Sequence, residues 1–145
     1  MSTSTQIVVG YDASPDARAA LDWAVREAAS RHLGVRVVYC EPDMAAWDGA
    51  AATMSGSPVL ATTLPHDGPA LVSQAAEVVA RAGVDVETVS TAGAPASVLV
   101  AQSRTAVMVV IGSRGHSALS SAILGSTVSH VASHAHCPVI VVQAQ

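Results

Sequence analysis

Residues 111–129 read I-G-S-R-G-H-S-A-L-S-S-A-I-L-G-S-T-V-S, and the rest of the chain is arranged around them. The apolar run 106–111 stops at Gly112, as a buried strand that ends in a glycine turn does. After Gly125, apolar residues recur at helical spacing, which predicts that a helix begins near Ser126. The stretch is therefore predicted to form a strand, a glycine-containing connection and a helix.

This connection has the features of an anion site. Gly112 and Gly115 can take positive φ and let a ligand approach the main chain. The helix that follows offers unpaired N–H groups and a partial positive charge at its first turn. The expected ligand is a phosphate chain. An ordinary strand-to-helix turn is the alternative, and it explains one glycine but not three at these positions.

Composition limits the class of protein. The chain has 145 residues, of which 50% are hydrophobic and 12% charged, and its net charge is −4, so we expect one compact domain over 1–145. All seven basic residues are Arg, and no basic run is present, which argues against nucleic acid and acidic membranes as partners. The absence of Lys also excludes a P-loop, whose lysine contacts the phosphates.

The cysteines and the chain start bear on the compartment. Cys40 and Cys137 form no C-x-x-C pair and are expected to be buried free thiols. Residues 1–6 have neither a basic nor an apolar region, so we expect no signal peptide. No apolar run approaches the roughly 18 residues that a membrane span needs. A cytoplasmic protein is predicted.

The order of predicted elements is β-α-β-loop-α-β-α-β-α-β. This order favours a single α/β domain with a doubly wound parallel sheet, because helical crossovers join successive parallel strands. Gly34 and Gly83 are expected to close the first two helices. If the first and fourth strands are neighbours, Asp12 and Gly112 face each other across the crevice where such sheets bind ligands. The predicted strands are 7–9, 35–40, 84–89, 106–111 and 139–142, and helices are expected to start at Pro15, Pro69, Pro95 and Ser126.

Residues 42–67 differ from the rest of the chain. They contain several Pro and Gly residues and no sustained apolar period, so we expect a long loop or insertion. A lid over the site and a variable insertion without a function both remain open.

Two motifs resemble those of the universal stress protein family, in its nucleotide-binding branch. One is V-G-Y-D-A-S at 9–14, and the other is G-x-x-G, nine residues and then G-S at 112–126. The G-x-P at 93–95 and the closing H-C-P-V-I-V-V at 136–142 are also similar to the family's. The resemblance covers essentially the whole chain, and it implies a five-stranded parallel sheet of order 3-2-1-4-5 that binds ATP.

The resemblance also implies roles for individual residues. Asp12 would meet the adenosine end, and the Cys40 main chain would meet the adenine edge. Mg²⁺ would accompany the triphosphate, held through phosphates and water. Homodimers would form by pairing of the last strand, Val139 to Val142. The implied nucleotide-binding residues are Gly10, Tyr11, Asp12, Cys40, Ile111, Gly112, Ser113, Arg114 and Gly115, with Gly125, Ser126 and Thr127 cradling the phosphates.

Two further groups of side chains leave alternatives open. Arg114 either contacts phosphate directly or is a solvated side chain. His116 is the one titratable base placed beside the phosphates, although a surface histidine is the commoner outcome. His130 and His134 are four residues apart on a predicted helix, but no acidic third ligand is near, so no transition-metal site is expected.

No nucleophile elbow, metalloprotease motif or pair of acids at useful spacing is present. We therefore expect a nucleotide-gated regulatory or partner-binding module with little or no turnover. A slow ATPase or phosphotransferase is one alternative. A binder of cyclic AMP or another adenosine ligand is the second.

Overall fold

The computed structural model describes residues 5–41, 68–113 and 125–144. Within them, strands and helices alternate in the predicted order. Residues 42–67 and 114–116, on which several predictions fall, lie outside the described part. The elements are β1 (Gln6–Gly10), α1 (Pro15–Arg31), β2 (Gly34–Glu41), α2 (Gly68–Arg81), β3 (Val86–Ala92), α3 (Pro95–Ser103), β4 (Met108–Gly112), α4 (Ser126–His134) and β5 (Val139–Val142).

The strands form one parallel sheet of order β3-β2-β1-β4-β5. The doubly wound fold and its strand order are thereby confirmed. β1 lies between β2 and β4, in register from Ile7 opposite Val35 and Met108. In the described ranges, no helix is both long and apolar enough to cross a membrane.

Helices cover both faces of the sheet. Ile7 and Val9 pack in the cluster that includes α1 and α2, whereas Val8 packs in the cluster that includes α3 and α4. Each of these three side chains is 0% exposed. A strand buried on both faces needs a continuous apolar run, which is why β1 reads Ile-Val-Val rather than alternating.

The start of α1 follows the sequence signals, but its end does not. Ser14 is the N-cap, its Oγ accepts a hydrogen bond from the Ala17 N–H at 3.2 Å, and Pro15 opens the helix. The helix closes at His32, whose φ is 56° and whose N–H donates to the Ala28 carbonyl. The prediction that Gly34 closes α1 is wrong, because Gly34 is already the first residue of β2.

Helix α2 starts at a glycine for a steric reason. A Cβ on Gly68 would lie 2.6 Å from the Tyr39 ring, so only glycine lets the helix pack on β2 here. Its buried positions are Gly68, Val72, Ala75 and Val79, whereas Val78 is 42% exposed. Gly83, with φ 77°, closes the turn after α2 as predicted. β3 begins at Val86, two residues later than predicted.

Candidate functional site

The candidate site is the crevice at the carboxyl ends of β1 and β4, where the order of the strands reverses. From β1 the chain runs to β2 and β3 on one side of the sheet, and it then returns to β4 and β5 on the other. α1 packs on one face and α3 and α4 on the opposite face. The carboxyl ends of β1 and β4 therefore border a switch point, the usual ligand site of such sheets.

The turn after β1 is built around Asp12. The Tyr11 N–H donates to the Val38 carbonyl at 2.9 Å, which keeps this residue attached to β2. One carboxylate oxygen of Asp12 accepts from the Ser14 N–H at 2.9 Å, and Ala13 takes a left-handed φ of 64°. Asp12 thus shapes the turn that leads into α1, and its half-buried side chain stays at the crevice edge.

Gly10 is a glycine because of its neighbours. A Cβ there would lie 3.0 Å from Leu99 Cδ1 and 3.1 Å from Ile111 Cγ2. Both side chains belong to the cluster under α3 and α4. Close packing of α3 and β4 against the end of β1 favours glycine at this position, because a side chain would make Leu99 and Ile111 shift by a few tenths of an ångström.

Gly112 also has a packing role, and it does not take the positive φ that glycine allows. Among the described glycines, positive φ occurs at Gly83 and Gly93 and not at Gly112. A Cβ on Gly112 would lie 2.7 Å from the Asp16 carbonyl carbon and 2.9 Å from the Ala17 nitrogen. The first turn of α1 lies so close to the end of β4 that no side chain fits between them.

Asp16 holds this junction together, and no sequence motif points to it. Its carboxylate is 3% exposed. Oδ2 accepts a hydrogen bond from the Ser113 hydroxyl at 2.6 Å, and Oδ1 accepts one from the Ala144 N–H at 2.9 Å. In sequence, Asp16 looks like an ordinary acidic residue of a first helical turn, and its partners lie 97 and 128 positions away.

Ser113 is consequently engaged within the protein. Its hydroxyl donates to Asp16, and its N–H donates to the Val142 carbonyl at 2.9 Å. The side chain is 1% exposed. The group of Ser113 that is left for a ligand is its carbonyl oxygen, which can accept a hydrogen bond from a ribose hydroxyl but has no donor for a phosphate. Arg114 and Gly115, predicted beside it, lie outside the described residues.

The start of α4 offers N–H groups to an anion. Its N-cap is Gly125, which has no side-chain oxygen to bond the first-turn N–H groups. The next two residues, Ser126 and Thr127, are exposed and half-buried, and both carry hydroxyls. The expected helix start at Ser126 is confirmed, and its chemistry suits a phosphate.

Cys40 lies near the carboxyl end of β2. The side chain packs against the cluster that contains Val38 and Ile111, and it is half-buried. Burial raises the pKa of the thiol from 9.0 to about 11, so the group is neutral at physiological pH. The pKa of the neighbouring Tyr39 is also raised. Burial is the main cause, and the negative charges of Glu41 and Asp12 add to it.

The two histidines of α4 contact each other. The rings of His130 and His134 stack with centroids 4.3 Å apart, and His134 Nδ1 lies 3.0 Å from the His130 carbonyl oxygen. Among the described residues, no group of three or more His, Cys, Asp or Glu side chains could hold a metal ion.

A separate cavity of about 360 Å³ lies at the other end of the strands from the crevice. Its lining residues surround the amino ends of β1 and β2 and include Gln6, His32, Gly34 and Asp85. It is therefore remote from the carboxyl-end crevice, and no sequence motif points to it.

Known proteins share this sequence pattern and fold. The sequence model of the universal stress protein family matches residues 3–143. A universal stress protein of Mycobacterium tuberculosis is 34% identical over 97% of this chain and 48% of its own length. The chain belongs to the universal stress protein family. It spans about half the length of the curated relatives that it matches.

Solved structures of the family share the fold. A universal stress protein in complex with cAMP is 24% identical, with a TM-score of 0.70 over 99% of this chain and 100% of that chain. A universal stress protein from Archaeoglobus fulgidus in complex with dAMP is 26% identical, with a TM-score of 0.65 over 95% of this chain and 97% of that chain.

Proposed function

We propose that this universal stress protein domain binds ATP in the crevice between β1 and β4 and acts as a nucleotide-dependent regulatory module with little or no turnover. The observation that carries the proposal is that β1 and β4 are neighbours in the sheet, so the Asp12 turn after β1 and the end of β4 at Gly112 lie at one switch point. The solved relatives with bound cAMP and dAMP support an adenine nucleotide as the ligand.

The phosphates belong at the start of α4. Gly125, Ser126 and Thr127 would bind them through main-chain N–H groups and hydroxyls, with Gly112, Arg114 and Gly115 alongside. Mg²⁺ would be held chiefly by phosphate oxygens and water, as is usual for this ion.

The adenosine belongs at the ends of β1 and β2. Asp12 is placed to accept hydrogen bonds from ribose hydroxyls, and the Cys40 main chain lies at the neighbouring strand end. Gly10, Tyr11 and Ile111 complete this part of the crevice. The inward-facing thiol of Cys40 leaves its main-chain groups as the part that contacts a base.

Titration calorimetry with ATP, ADP, AMP, cAMP and adenosine, with and without Mg²⁺, tests this function. We expect ATP to bind most tightly, because each added phosphate meets further N–H groups and the positive end of α4. Equal affinity for adenosine and ATP, or no binding at millimolar concentration, would refute the proposal.

Two alternatives remain within the same crevice. The first is a cyclic nucleotide, which the solved relative in complex with cAMP favours. It would be supported if cAMP displaced bound ATP at a lower concentration than AMP does. A slow ATPase or phosphotransferase would show phosphate release from Mg²⁺-ATP that a His116→Ala substitution abolishes.

We also propose that β5 pairs with its counterpart in a second copy. β5 and β3 are the edges of the sheet, and they differ in composition. β5 reads Val-Ile-Val-Val with Val141 39% exposed, whereas β3 carries Glu87, Thr88 and Ser90. Apolar edges favour pairing with another strand, and polar edges resist it.

Matched substitutions on the two edges test the dimer. Val141→Arg should make the protein monomeric in sedimentation equilibrium, while Thr88→Arg on the other edge should leave its mass unchanged. A wild-type monomer at high concentration, or a dimer that survives Val141→Arg but not Thr88→Arg, would refute pairing through β5.

A further inference from the structure

The cavity of about 360 Å³ lies where α1 and α2 end and where β1 and β2 begin. We propose that it binds a small protonated amine with a short aliphatic stem, such as a diamine. This inference does not rest on the nucleotide function, because the cavity and the crevice lie at opposite ends of the strands.

Two helices end at this cavity. The last turn of a helix leaves carbonyl groups without partners inside the helix, and the helix dipole places a partial negative charge at the same end. Two such ends beside one cavity favour a cation as its ligand. The end of α1 contributes Ala28, Ala29, His32 and Leu33 to the lining, and the turn after α2 contributes Gly83 and Val84.

The arginines of these last turns are engaged elsewhere. Helical side chains lean toward the start of their own helix, away from its carbonyl end. Arg31 accordingly pairs with Glu27 one turn earlier at 3.7 Å, and Arg81 pairs with Glu77 one turn earlier at 3.8 Å. Neither arginine lines the cavity, so the negative helix ends are left for a ligand.

Asp85 adds a full negative charge to the lining. Its main-chain carbonyl accepts a hydrogen bond from the Val35 N–H at 2.9 Å, which holds this residue beside the start of β2. Its side chain is exposed, and no ion pair within the described ranges involves its carboxylate. The carboxylate is therefore available to an external cation.

Gly34 leaves space between Asp85 and Gln6. A Cβ on Gly34 would lie 3.3 Å from the Asp85 carbonyl oxygen and 3.5 Å from Gln6 Cγ, so a side chain here would fill this gap. The Gln6 amide is engaged, because Oε1 accepts from Arg36 and Nε2 donates to Glu87 at 3.0 Å. The charge of Arg36 is compensated by Glu87, 3.5 Å away.

The lining also selects the kind of cation. Among the described residues, no group of three or more His, Cys, Asp or Glu side chains could hold a metal ion. Ala28, Leu33 and Val84 give the cavity apolar walls, which suit methylene groups. Its volume is within the range of small-molecule pockets. An ammonium group on a short stem can donate charge-assisted hydrogen bonds to Asp85 and to helix-end carbonyls.

Nuclear magnetic resonance titrations of the isotope-labelled protein test the site. The probes are putrescine, its neutral diol analogue, and a lysine blocked at both ends, which carries one ammonium group on a peptide unit. Putrescine at millimolar concentration should shift the amide signals of Gly34, Gly83 and Asp85 to saturation, and the diol should not. The affinity for putrescine should fall as sodium chloride is added, because salt screens exposed charges.

Two matched substitutions locate the binding charge. Asp85→Asn should weaken putrescine at least about fivefold, because it removes the charge from the acceptor. Asp22→Asn removes the same charge from an exposed position of α1 that does not line the cavity, and it should change the affinity less than about twofold.

The outcomes that would overturn the proposal are distinct. They are the absence of saturating shifts at Gly34, Gly83 and Asp85, equal shifts with putrescine and the diol, and equal weakening in Asp85→Asn and Asp22→Asn. Tighter binding of the blocked lysine than of putrescine would also overturn it, in favour of a lysine side chain from a partner protein. All titrations are made without nucleotide, so their results hold whether or not the crevice binds ATP.

Discussion

At the scale of single residues, packing alone accounts for two of the crevice glycines. Gly10 makes room for Leu99 and Ile111, and Gly112 makes room for the first turn of α1. Gly125 differs, because a Cβ there would have no neighbour within 4 Å among the described residues. Glycine thus occurs for different structural reasons at three positions that look alike in the sequence.

This difference predicts the outcome of two alanine substitutions. Gly112→Ala would place its methyl group 2.7 Å from the Asp16 carbonyl carbon and should destabilise the protein by about 1–3 kcal/mol, as overpacked cores do. Gly125→Ala, with φ −62° and no described residue within 4 Å of the new methyl group, should change the free energy of unfolding by less than about 1 kcal/mol, because alanine is a poorer N-cap than glycine but loses less backbone freedom on folding. Urea denaturation of both variants measures this, and equal losses would contradict the packing account.

At the scale of helices and strands, local sequence predicted most starts and fewer ends. Ser14-Pro15 and Pro95 gave the starts of α1 and α3, because capping and proline geometry are local effects. The end of α1 was misplaced at Gly34, since His32 takes the left-handed conformation itself. The Asp16 junction was beyond prediction from local pattern, because it joins residues that only the folded sheet brings together.

The starts of α1 and α3 differ in whether the N-cap residue carries a hydroxyl group, which allows a prediction with two matched substitutions. Ser14 caps α1 with its hydroxyl, whereas Ala94 precedes α3 without a side-chain bond. Ser14→Ala should lower the free energy of unfolding by about 1 kcal/mol, and Ala94→Ser should raise it by up to about 1 kcal/mol. Thermal unfolding of both variants checks the signs. A stabilising Ser14→Ala or a destabilising Ala94→Ser would show that capping does not control these helix ends.

At the scale of the whole molecule, folding raises the pKa values of two cysteine thiols and one tyrosine hydroxyl. Burial raises the pKa of Cys40 from 9.0 to about 11, and it also raises the pKa values of Cys137 and Tyr39. A bond to the Val109 main chain partly offsets the rise at Cys137. These groups lose their protons at lower pH in the unfolded chain than in the folded one, so the folded state binds more protons in alkaline solution.

The stability of the domain should therefore be maintained below about pH 9 and fall as the pH rises toward about 11. Each group contributes less than about 1.4 kcal/mol per pH unit, because solvent screening reduces the effect at half-buried positions. Cys40→Val preserves the packing against Val38 and Ile111 but removes the proton, so its curve of unfolding free energy against pH should be flatter than that of wild type between pH 9 and 11. Cys137→Val should flatten the curve less, because the hydrogen bond to the Val109 main chain opposes the effect of burial on the pKa of this thiol. Urea unfolding at a series of pH values gives all three curves, and parallel curves for wild type and Cys40→Val would mean that the Cys40 thiol ionises alike in the folded and unfolded chains.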